Sequence, residues 1–259
     1  MRFATFFGLL LGSLALPACF APTIDATARW IQLQPKGEIG IADSTVTTRN
    51  SLDDLGLGSK EGIPGAMVDF QWGGPHLSVS TQSGSWSGSG TLQAEFSNNG
   101  TTIPIGTDVD SNLDLAIHSA LLTWDLLPGD AELGFGFGVD ALDLKGSFQS
   151  QSSSDRIDFD ETIPIPVLAI RANVHINSFE LGGSAAGFKI NYNGDDAQFL
   201  DMDLMARYHF IGGSSRASGS LLVGYRSVSL KVNYEGDSGE QVDADLDFTG
   251  PFVGAQWSF

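Results

Sequence analysis

The sequence predicts an all-β protein: an antiparallel up-and-down barrel of about ten strands, within a range of eight to twelve. Apolar residues recur at every second position in many segments, which is the period of a strand with one apolar face. In residues 133–139 the apolar positions alternate with glycines, and a helix of that composition would be unstable. Long polar loops alternate with short turns containing Gly or Pro, which indicates successive hairpins around a barrel.

The first five predicted strands lie in the N-terminal half of the chain. Ile39 and Ile41 start the first strand, and a polar loop follows it. The second strand ends at a turn made of Gly73, Gly74 and Pro75, residue types that permit a tight reversal. The third passes through a Ser/Gly-rich stretch, which we interpret as a strand with a small-residue face. The five strands cover residues 39–41, 66–72, 77–86, 113–124 and 133–139.

The other five strands cover residues 168–174, 179–185, 200–210, 218–234 and a last segment that follows the acidic loop at 235–240 and ends at Phe259. The last two strands change parity. In the ninth, apolar residues occupy odd positions before Arg226 and even positions after it. In the tenth, the change falls at Gly250-Pro251. A β-bulge would keep the apolar residues on one face, so we predict bulges at both places.

The chain has 259 residues, with 31 acidic and 13 basic side chains and a net charge of −18. This balance excludes an ordinary nucleic-acid-binding protein, which needs a basic surface. Residues 1–21 predict a signal peptide, because Arg2 is followed by an apolar core and then by small residues. That apolar core is shorter than the roughly 20 residues that a membrane-spanning helix needs.

Two processing routes are open for the N-terminus. Ordinary cleavage would follow Ala21, with Cys19 and Ala21 as the small residues of the site. Cys19 is also the only cysteine, and the segment from Leu16 resembles the lipobox of bacterial lipoproteins, whose cysteine is acylated, although Pro17 departs from that pattern. Residues 22–36 are predicted to be a lead-in or a first half-strand, and residues 37–259 to be the barrel.

Strand alternation fits two arrangements. A soluble sandwich or barrel turns its apolar face inward, whereas a membrane barrel turns it to lipid and encloses a polar lumen. Aromatic residues at strand ends favour the membrane barrel, since they form girdles at the interfaces: Trp72, Trp124, Tyr208, Phe210, Trp257 and Phe259. We therefore predict a transmembrane β-barrel with a structural network of paired charges in its lumen: Asp69, Asp114, His118, Glu132, Asp140, Arg171, Asp201, Asp203, Arg207 and Arg226.

Several short motifs resemble a family of small Gram-negative outer-membrane β-barrel proteins. They are Gly224-Tyr225-Arg226, Gly250-Pro251-Phe252-Val253-Gly254 and the terminal Phe259, with the loop at residues 52–57 followed by Pro64. His118 and Ser119 depart from the pattern, which has tyrosines there. The resemblance implies a fold and an outer-membrane location rather than an activity. It also implies a C-terminal assembly signal, read by the barrel-assembly machinery, formed by Val253, Ala255, Trp257 and Phe259.

Two kinds of chemistry compete with a purely structural role. His175, Ser178 and Glu180 lie close together and carry the groups of a barrel-embedded lipid hydrolase, but a polar turn explains them better. Asp243, Asp245 and Asp247 share one strand face, and oxygen-rich clusters suit Ca²⁺ or Mg²⁺. They match no established motif, so they are weak metal candidates beside a solvated acidic rim. We expect no cofactor and no enzymatic activity.

The predicted protein is thus a bacterial outer-membrane barrel with a structural, surface-interaction or small-solute transport role. A barrel of this size is mostly filled by its own side chains, so we expect charged residues to plug most of the lumen. The expected partners are outer-membrane lipids and lipopolysaccharide, bridged to the acidic loops by divalent cations. The alternatives are a barrel-embedded lipid hydrolase and a soluble exported binding protein with a β-barrel or sandwich fold.

Overall fold

The structure, a computed structural model, describes residues 22–43, 46, 48–98, 100–127, 131–192, 195–211, 218–235 and 241–259. The predicted signal peptide and Cys19 lie outside these residues. The strands are β1 Thr23–Ala42, β2 Asn50–Ser51, β3 Glu61–Gln71, β4 Pro75–Thr91, β5 Phe96–Asn98, β6 Thr101–Ile103, β7 Asp108–Leu127, β8 Ala131–Ser150, β9 Arg156–Ile176, β10 Phe179–Tyr192, β11 Asp195–Ile211, β12 Ser218–Glu235 and β13 Gln241–Ser258. Among the described residues, no helix is long and apolar enough to cross a membrane.

Ten long strands form a closed antiparallel barrel. They follow one another around the ring in chain order, and the last strand, β13, pairs with β1 to close it. The ten-stranded all-β prediction is therefore confirmed. The barrel has two ends, which differ in their connections. The turn end carries the connections β3–β4, β7–β8, β9–β10 and β11–β12, and the loop end carries the others. The barrel is correspondingly divided into a turn-side half and a loop-side half.

Of the two possibilities for residues 22–36, a lead-in or a first half-strand, the structure has a strand: β1 begins at Thr23, so residues 23–36 are part of the first barrel strand. Thr27 and Arg29 face inward there, and this polar inner face conceals the strand from a search for apolar alternation. The connection between β8 and β9 is short, residues 151–155, because both strands extend beyond the predicted segments 133–139 and 168–174 and continue to the loop end with polar residues on their outer faces.

The barrel inverts its polarity halfway along its strands. On β12, Leu221 and Val223 face outward and are 55% and 56% exposed, whereas Val228 and Leu230 face inward and are 1% and 5% exposed. On β13, Leu246 and Phe248 are buried in the same way, and Val253 and Trp257 are exposed. The turn-side half therefore has apolar residues outside, and the loop-side half has them inside.

This inversion replaces both predicted bulges. The β12–β13 pairing keeps one register through Arg226, opposite Gly250, and through Tyr225, opposite Pro251. The β1–β13 register is also the same on both sides of Gly250-Pro251. The apolar residues change parity because the face that must be apolar changes. Gly250 has a different role: a side chain there would collide with the backbone oxygen of Gln32 on β1.

Apolar side chains fill the interior of the loop-side half. Trp86 and Phe248 lie 5.5 Å apart between ring centroids, and Phe96 and Phe148 lie 4.7 Å apart. Other fully buried members of this core are Ile31, Leu33, Leu52, Leu55, Leu57, Leu92, Ile103 and Leu113. A membrane barrel with a polar interior throughout would have none of these contacts, so this half is packed in the manner of a soluble protein.

Two segments complete this core. Residues 50–57, which we call the wall segment, continue the barrel wall next to β1 at the end where β3 stops. Within this segment β2 pairs with β1, and the Thr91 N–H of β4 donates to the Asp54 carbonyl at 3.1 Å. The β5–β6 hairpin packs across the loop end, and its own side chains Phe96 and Ile103 are buried in the core. We call this hairpin, with residues 92–95 that lead into it, the cap.

The buried Asn50 side chain fastens the cap to the wall. Its Oδ1 accepts hydrogen bonds from the Gln93 and Ala94 N–H groups at 2.7 and 2.9 Å, and its Nδ2 donates to the Ala94 carbonyl at 3.0 Å. Asp43 adds a second attachment, because its backbone N–H donates to Ser97 Oγ and its carboxylate accepts from the Gly100 N–H.

Candidate lumen site

The turn-side half of the lumen contains a polar cavity of about 350 Å³. Inward positions on eight strands supply its charged wall, because residues two apart on a strand face the same side. Six carboxylates line it: Asp25, Asp69, Glu132, Glu180, Asp201 and Asp203. Three arginines and three histidines accompany them: Arg171, Arg207, Arg226, His76, His175 and His209. Thr23, Ser218 and Ser258 also line the cavity, which therefore reaches the turn end.

The deepest part of the site is a four-residue ion network. The Arg226 guanidinium donates to Asp203 Oδ2 at 2.7 Å and to Asp201 Oδ2 at 2.6 Å. Arg29 donates to the same Asp203 oxygen at 2.7 Å and lies 5.3 Å from the centre of the Phe252 ring. All four charged residues are buried. Buried charges of this kind are tolerated only in pairs, so each of them depends on the others.

A second network lies on β4, β7, β8 and β9. Arg171 contacts Glu132 at 3.0 Å and also contacts Asp125. Asp125 in turn contacts His76 Nε2 at 2.7 Å, while the Asn173 amide donates to Glu132 at 3.2 Å. This network joins four strands through side chains, which stiffens the wall beside the turn end.

Glu180 organises a third network near the turn end. Arg207 donates to both of its carboxylate oxygens, at 2.8 and 2.9 Å. His175 and His209 approach one of those oxygens at 3.2 and 3.4 Å, and Ser220 shares a 2.8 Å hydrogen bond with His209 Nδ1. Because Glu180 is buried, the guanidinium is its main compensating charge.

Some buried polar atoms have no hydrogen-bond partner among the described residues. Both carboxylate oxygens of Asp140 are in this position, and so are both amide atoms of Gln82. The other unpartnered oxygens of the cavity region are Asp25 Oδ1, Asp203 Oδ1, Thr27 Oγ1 and Gln256 Oε1, and the unpartnered nitrogens are the Nε atoms of Arg29, Arg171, Arg207 and Arg226. Unsatisfied buried groups are costly and each calls for an explanation.

The structure places eight of the ten residues of the predicted charge network on the lumen side and two on the outer face. Asp69, Glu132, Asp140, Arg171, Asp201, Asp203, Arg207 and Arg226 face the lumen. Asp114 and His118 instead face outward on the loop-side half of β7, where Asp114 accepts from Ser85 and His118 lies 3.7 Å from Asp143. Their neighbours Leu113, Leu115 and Ile117 fill the core, so the polar residues between them must point to the outside.

The three metal candidates also face outward on the loop-side half. Asp243 pairs with Arg49 at 3.0 Å, and Asp245 pairs with Lys231 at 2.6 Å. The hydrogen bond and the charge of Asp245 raise the pKa of the Lys231 ammonium above its usual value. Within the described part of the chain, no three His, Cys, Asp or Glu side chains are grouped so that they could hold a metal ion.

The hydrolase candidates do not assemble into a catalytic triad. Ser178 lies exposed in the β9–β10 turn beside Asn177, which has a φ of 55°. Its carbonyl accepts from the His209 N–H, but none of the side-chain hydrogen bonds of the described residues joins its hydroxyl to His175. His175 contacts Glu180, as a triad would require, but the nucleophile is absent from that network.

The four residues of the predicted C-terminal signal lie on the outer face. Val253, Trp257 and Phe259 are exposed, and Ala255 is partly exposed. The Phe259 N–H donates to the Ile24 carbonyl at 2.9 Å, so the end of the chain is hydrogen-bonded to the first strand.

Sequence reasoning missed Arg29, Asp25 and Asp125, and it considered Glu180 only as a hydrolase candidate and not as a lumen residue. Arg29 and Asp25 lay in the segment predicted to be a lead-in, although their spacing of four residues places them on one strand face. Asp125 has the opposite parity to Asp114 and His118, the residues predicted to face the lumen on its strand, and no lumen residue was predicted on β10, the strand of Glu180. A parity count from the predicted lumen residues therefore could not have found either. The contacts that these four residues make with other strands form only when the barrel closes, so they could not be predicted from one strand alone.

The sequence matches neither a protein-family model nor a curated protein. The fold is similar to that of the outer membrane protease OmpT from Escherichia coli, with a TM-score of 0.53 and 12% identity over 93% of this chain and 99% of that chain. It is also aligned with a FadL homologue of Pseudomonas aeruginosa, with a TM-score of 0.33 and 10% identity over 92% of this chain and 90% of that chain. The β domain of the Bordetella autotransporter BrkA gives 0.34 and 9% over 93% and 99%.

The TM-scores of 0.33 and 0.34 for the FadL homologue and the BrkA β domain are too low to establish a shared fold. The similarity to OmpT, at 12% identity, shows a shared fold and no shared activity. The chain therefore has the closed antiparallel fold of an outer-membrane β-barrel.

Proposed function

We propose that the protein is an outer-membrane barrel with a structural or surface-interaction role, whose turn-side half is embedded in lipid and whose loop-side half stands outside the membrane. The observation that carries this proposal is the inversion of polarity along the strands. An apolar outer surface around a charged lumen suits lipid, and a polar outer surface around an apolar core suits water.

The outward-facing apolar residues of the turn-side half form a band around the barrel, which we call the apolar belt. Its height supports the membrane assignment. On β9 the outward apolar residues extend from Leu168 to Ile176. This distance is roughly 26 Å along the strand at about 3.3 Å per residue. At a strand tilt of about 40° it corresponds to a height of about 20 Å, close to the apolar band of about 25 Å in outer-membrane barrels. Most strands have 17 to 21 residues, so a long portion remains beyond the belt.

Aromatic side chains lie at both edges of the belt. Trp124, Tyr208, Trp257 and others lie near the turn end, as the sequence predicted, and all three are exposed. Trp30 and Tyr225 are exposed at the opposite edge, where the polarity inverts. Aromatic residues favour the two membrane–water interfaces, so this distribution supports the proposed boundaries.

The core of the loop-side half favours a structural role over transport. A solute that crossed the lumen would have to pass the ion network around Arg226 and then a packed layer containing Trp86, Phe148 and Phe248. Close-packed interiors leave few voids larger than a water molecule. In our proposal the lumen is closed by two layers: charged side chains plug the turn-side half, and apolar side chains fill the loop-side half.

Planar-bilayer recording tests this proposal. We expect the purified protein to insert without steady single-channel currents, because no continuous polar path passes the core. Co-flotation of the same preparation with lipid vesicles provides the control for insertion. Large, steady currents from vesicle-associated protein would contradict the structural role and favour small-solute transport.

Two partners remain proposals. The outward residues Val253, Trp257 and Phe259 on the closing strand suit recognition by the barrel-assembly machinery. The outer face of the loop-side half carries many carboxylates, including Asp110, Asp158 and Asp247, and divalent cations bridge such a surface to anionic lipopolysaccharide.

We infer no enzymatic role. OmpT is a protease, but its similarity at 12% identity extends to the fold alone. The separation of the Ser178 hydroxyl from the His175–Glu180 contact supports the absence of a lipid hydrolase. A lipid-hydrolysing activity that is lost in Ser178→Ala would contradict this inference.

A further inference from the structure

We propose that the lumen cavity is a binding site for a small primary ammonium cation, held between Asp25 and Asp69 near the turn end. The site follows from the distribution of charge and of unsatisfied oxygen atoms inside the cavity. It does not depend on which side of a membrane the turn end faces, nor on whether the barrel conducts.

Asp25 and Asp69 are the two lumen carboxylates of this region without a cationic partner. They are directly opposite each other on β1 and β3, and among the described residues neither forms an ion pair. Asp69 accepts a hydrogen bond from Ser78. The other carboxylates that line the cavity are paired with arginines: Glu132, Glu180, Asp201 and Asp203.

Two carboxylates at directly opposite positions repel each other. Such side chains have Cβ atoms about 4.5–5.5 Å apart, and the lumen wall screens them less than bulk water would. A cation between them would convert this repulsion into two attractions. Asp25 Oδ1 is buried and has no hydrogen-bond partner, so one acceptor is already withdrawn from water.

Gln256 provides an independent indication of a ligand. Its side chain lines the cavity, is only 3% exposed, and its Oε1 has no hydrogen-bond partner. On the neighbouring strand it pairs with Thr27, the next inward residue after Asp25 on β1. Thr27 Oγ1 is also unpartnered. Three adjacent strands thus present acceptor oxygens that require donors.

An ammonium group fits this arrangement better than a metal ion. It carries three N–H donors and no acceptor, which matches oxygens on Asp25, Asp69 and Gln256. The described residues offer no cluster of three side chains of the kinds that bind metals. The cavity of about 350 Å³ is also larger than an ion needs and lies within the range for small-molecule sites. Met67 and Leu121 line it and would contact a short alkyl chain.

Calorimetric titration of the refolded barrel in detergent micelles tests the inference with butylammonium as the probe. We expect saturable binding that weakens at least about tenfold in the Asp25→Asn/Asp69→Asn variant, because charged hydrogen bonds are lost. Gln256→Leu should weaken binding less. Tetramethylammonium, which has no N–H donor, and Mg²⁺ should bind far more weakly.

The matched control is Asp143→Asn/Asp247→Asn, which removes the same charge from the outer face and should leave binding unchanged. Equal weakening in this control would overturn the proposal in favour of general surface attraction. Absence of saturable binding, or equal binding of tetramethylammonium or Mg²⁺, would overturn it as well. If the double lumen variant does not fold, Gln256→Leu decides: unchanged butylammonium binding in that variant contradicts the site.

Discussion

Arg226 is the residue on which the centre of the barrel depends most. Its guanidinium contacts both Asp201 and Asp203, and Arg29 shares the second of these carboxylates. All four side chains are withdrawn from water, and Asp140 lies buried without a hydrogen-bond partner of its own. Removing one cation leaves an excess of buried negative charge, whose desolvation nothing then offsets.

We therefore expect Arg226→Met to lower the free energy of unfolding by roughly 3–5 kcal/mol, the usual range for breaking a buried ion pair on one side. Urea unfolding in micelles, followed by tryptophan fluorescence, measures the change. Lys231→Met is the matched control on the same strand, since it breaks the exposed pair with Asp245 and should barely move the midpoint. Equal midpoints for Arg226→Met and the unmodified protein would contradict this account.

Single residues could be assigned correctly to the lumen or the outside only in the turn-side half, where the outer face is apolar. Arg171 and Asp203 alternate with exposed apolar residues, so local parity placed them correctly. Asp114 and His118 alternate with apolar residues in the same way, yet they face outward. Local alternation gives two chemical faces and not their direction, which depends on whether that height of the barrel is surrounded by lipid or by water.

At the scale of one strand, the change of parity is the informative signal. β12 and β13 keep an unbroken register, and what changes is the side on which their apolar residues lie. A bulge was the simplest explanation for a strand with one constant environment. In the proposed membrane arrangement the strand passes from lipid into water, and the change of parity then puts the boundary near Tyr225 and Arg226.

We expect Val223→Arg to prevent or slow folding into lipid vesicles, whereas Ser229→Arg should not. Both residues face outward on β12, but Val223 lies within the apolar belt and Ser229 lies beyond it. An arginine near the bilayer midplane costs about 2–4 kcal/mol in a membrane barrel. Folding yield into vesicles, measured by gel migration, compares the two variants. Similar yields for both would contradict the proposed boundary.

The cap and the wall segment are elements that the sequence did not predict. Both fell within polar loops, since their apolar residues, such as Leu52, Leu55 and Phe96, are spaced irregularly. Their positions depend on long-range bonds, above all those of Asn50 with Gln93 and Ala94, which are separated by more than 40 residues along the chain. Periodicity carries no information about such contacts.

At the scale of the whole molecule, the strand count and the closure were predictable. Each barrel strand is long and alternating, and the connections at the turn end are short, so neighbouring strands had to be antiparallel partners. The pairing of β13 with β1 is the closure that a predicted up-and-down barrel requires. The filled interior of the loop-side half was not predictable, because it arises only when all ten strands bring their inner faces together.

We expect the protein to fractionate with the outer membrane and to migrate faster on a gel before heating than after. A closed barrel with continuous hydrogen bonding resists detergent until it is heated, and the compact form runs ahead of the unfolded chain. Membrane fractionation with and without heating measures both properties. Recovery in the soluble fraction would contradict the membrane assignment and favour the exported binding protein.

The inversion of polarity also makes the two halves differ in their response to temperature. Unfolding would bring the core around Trp86 and Phe248 into water, and exposure of apolar surface to water raises the heat capacity. The belt residues of the turn-side half, such as Leu168 and Val223, are exposed and would face lipid in the proposed arrangement, so they would contribute little to that increment while the chain stays in the bilayer. Calorimetric curvature would therefore report on the half of the molecule that stands in water.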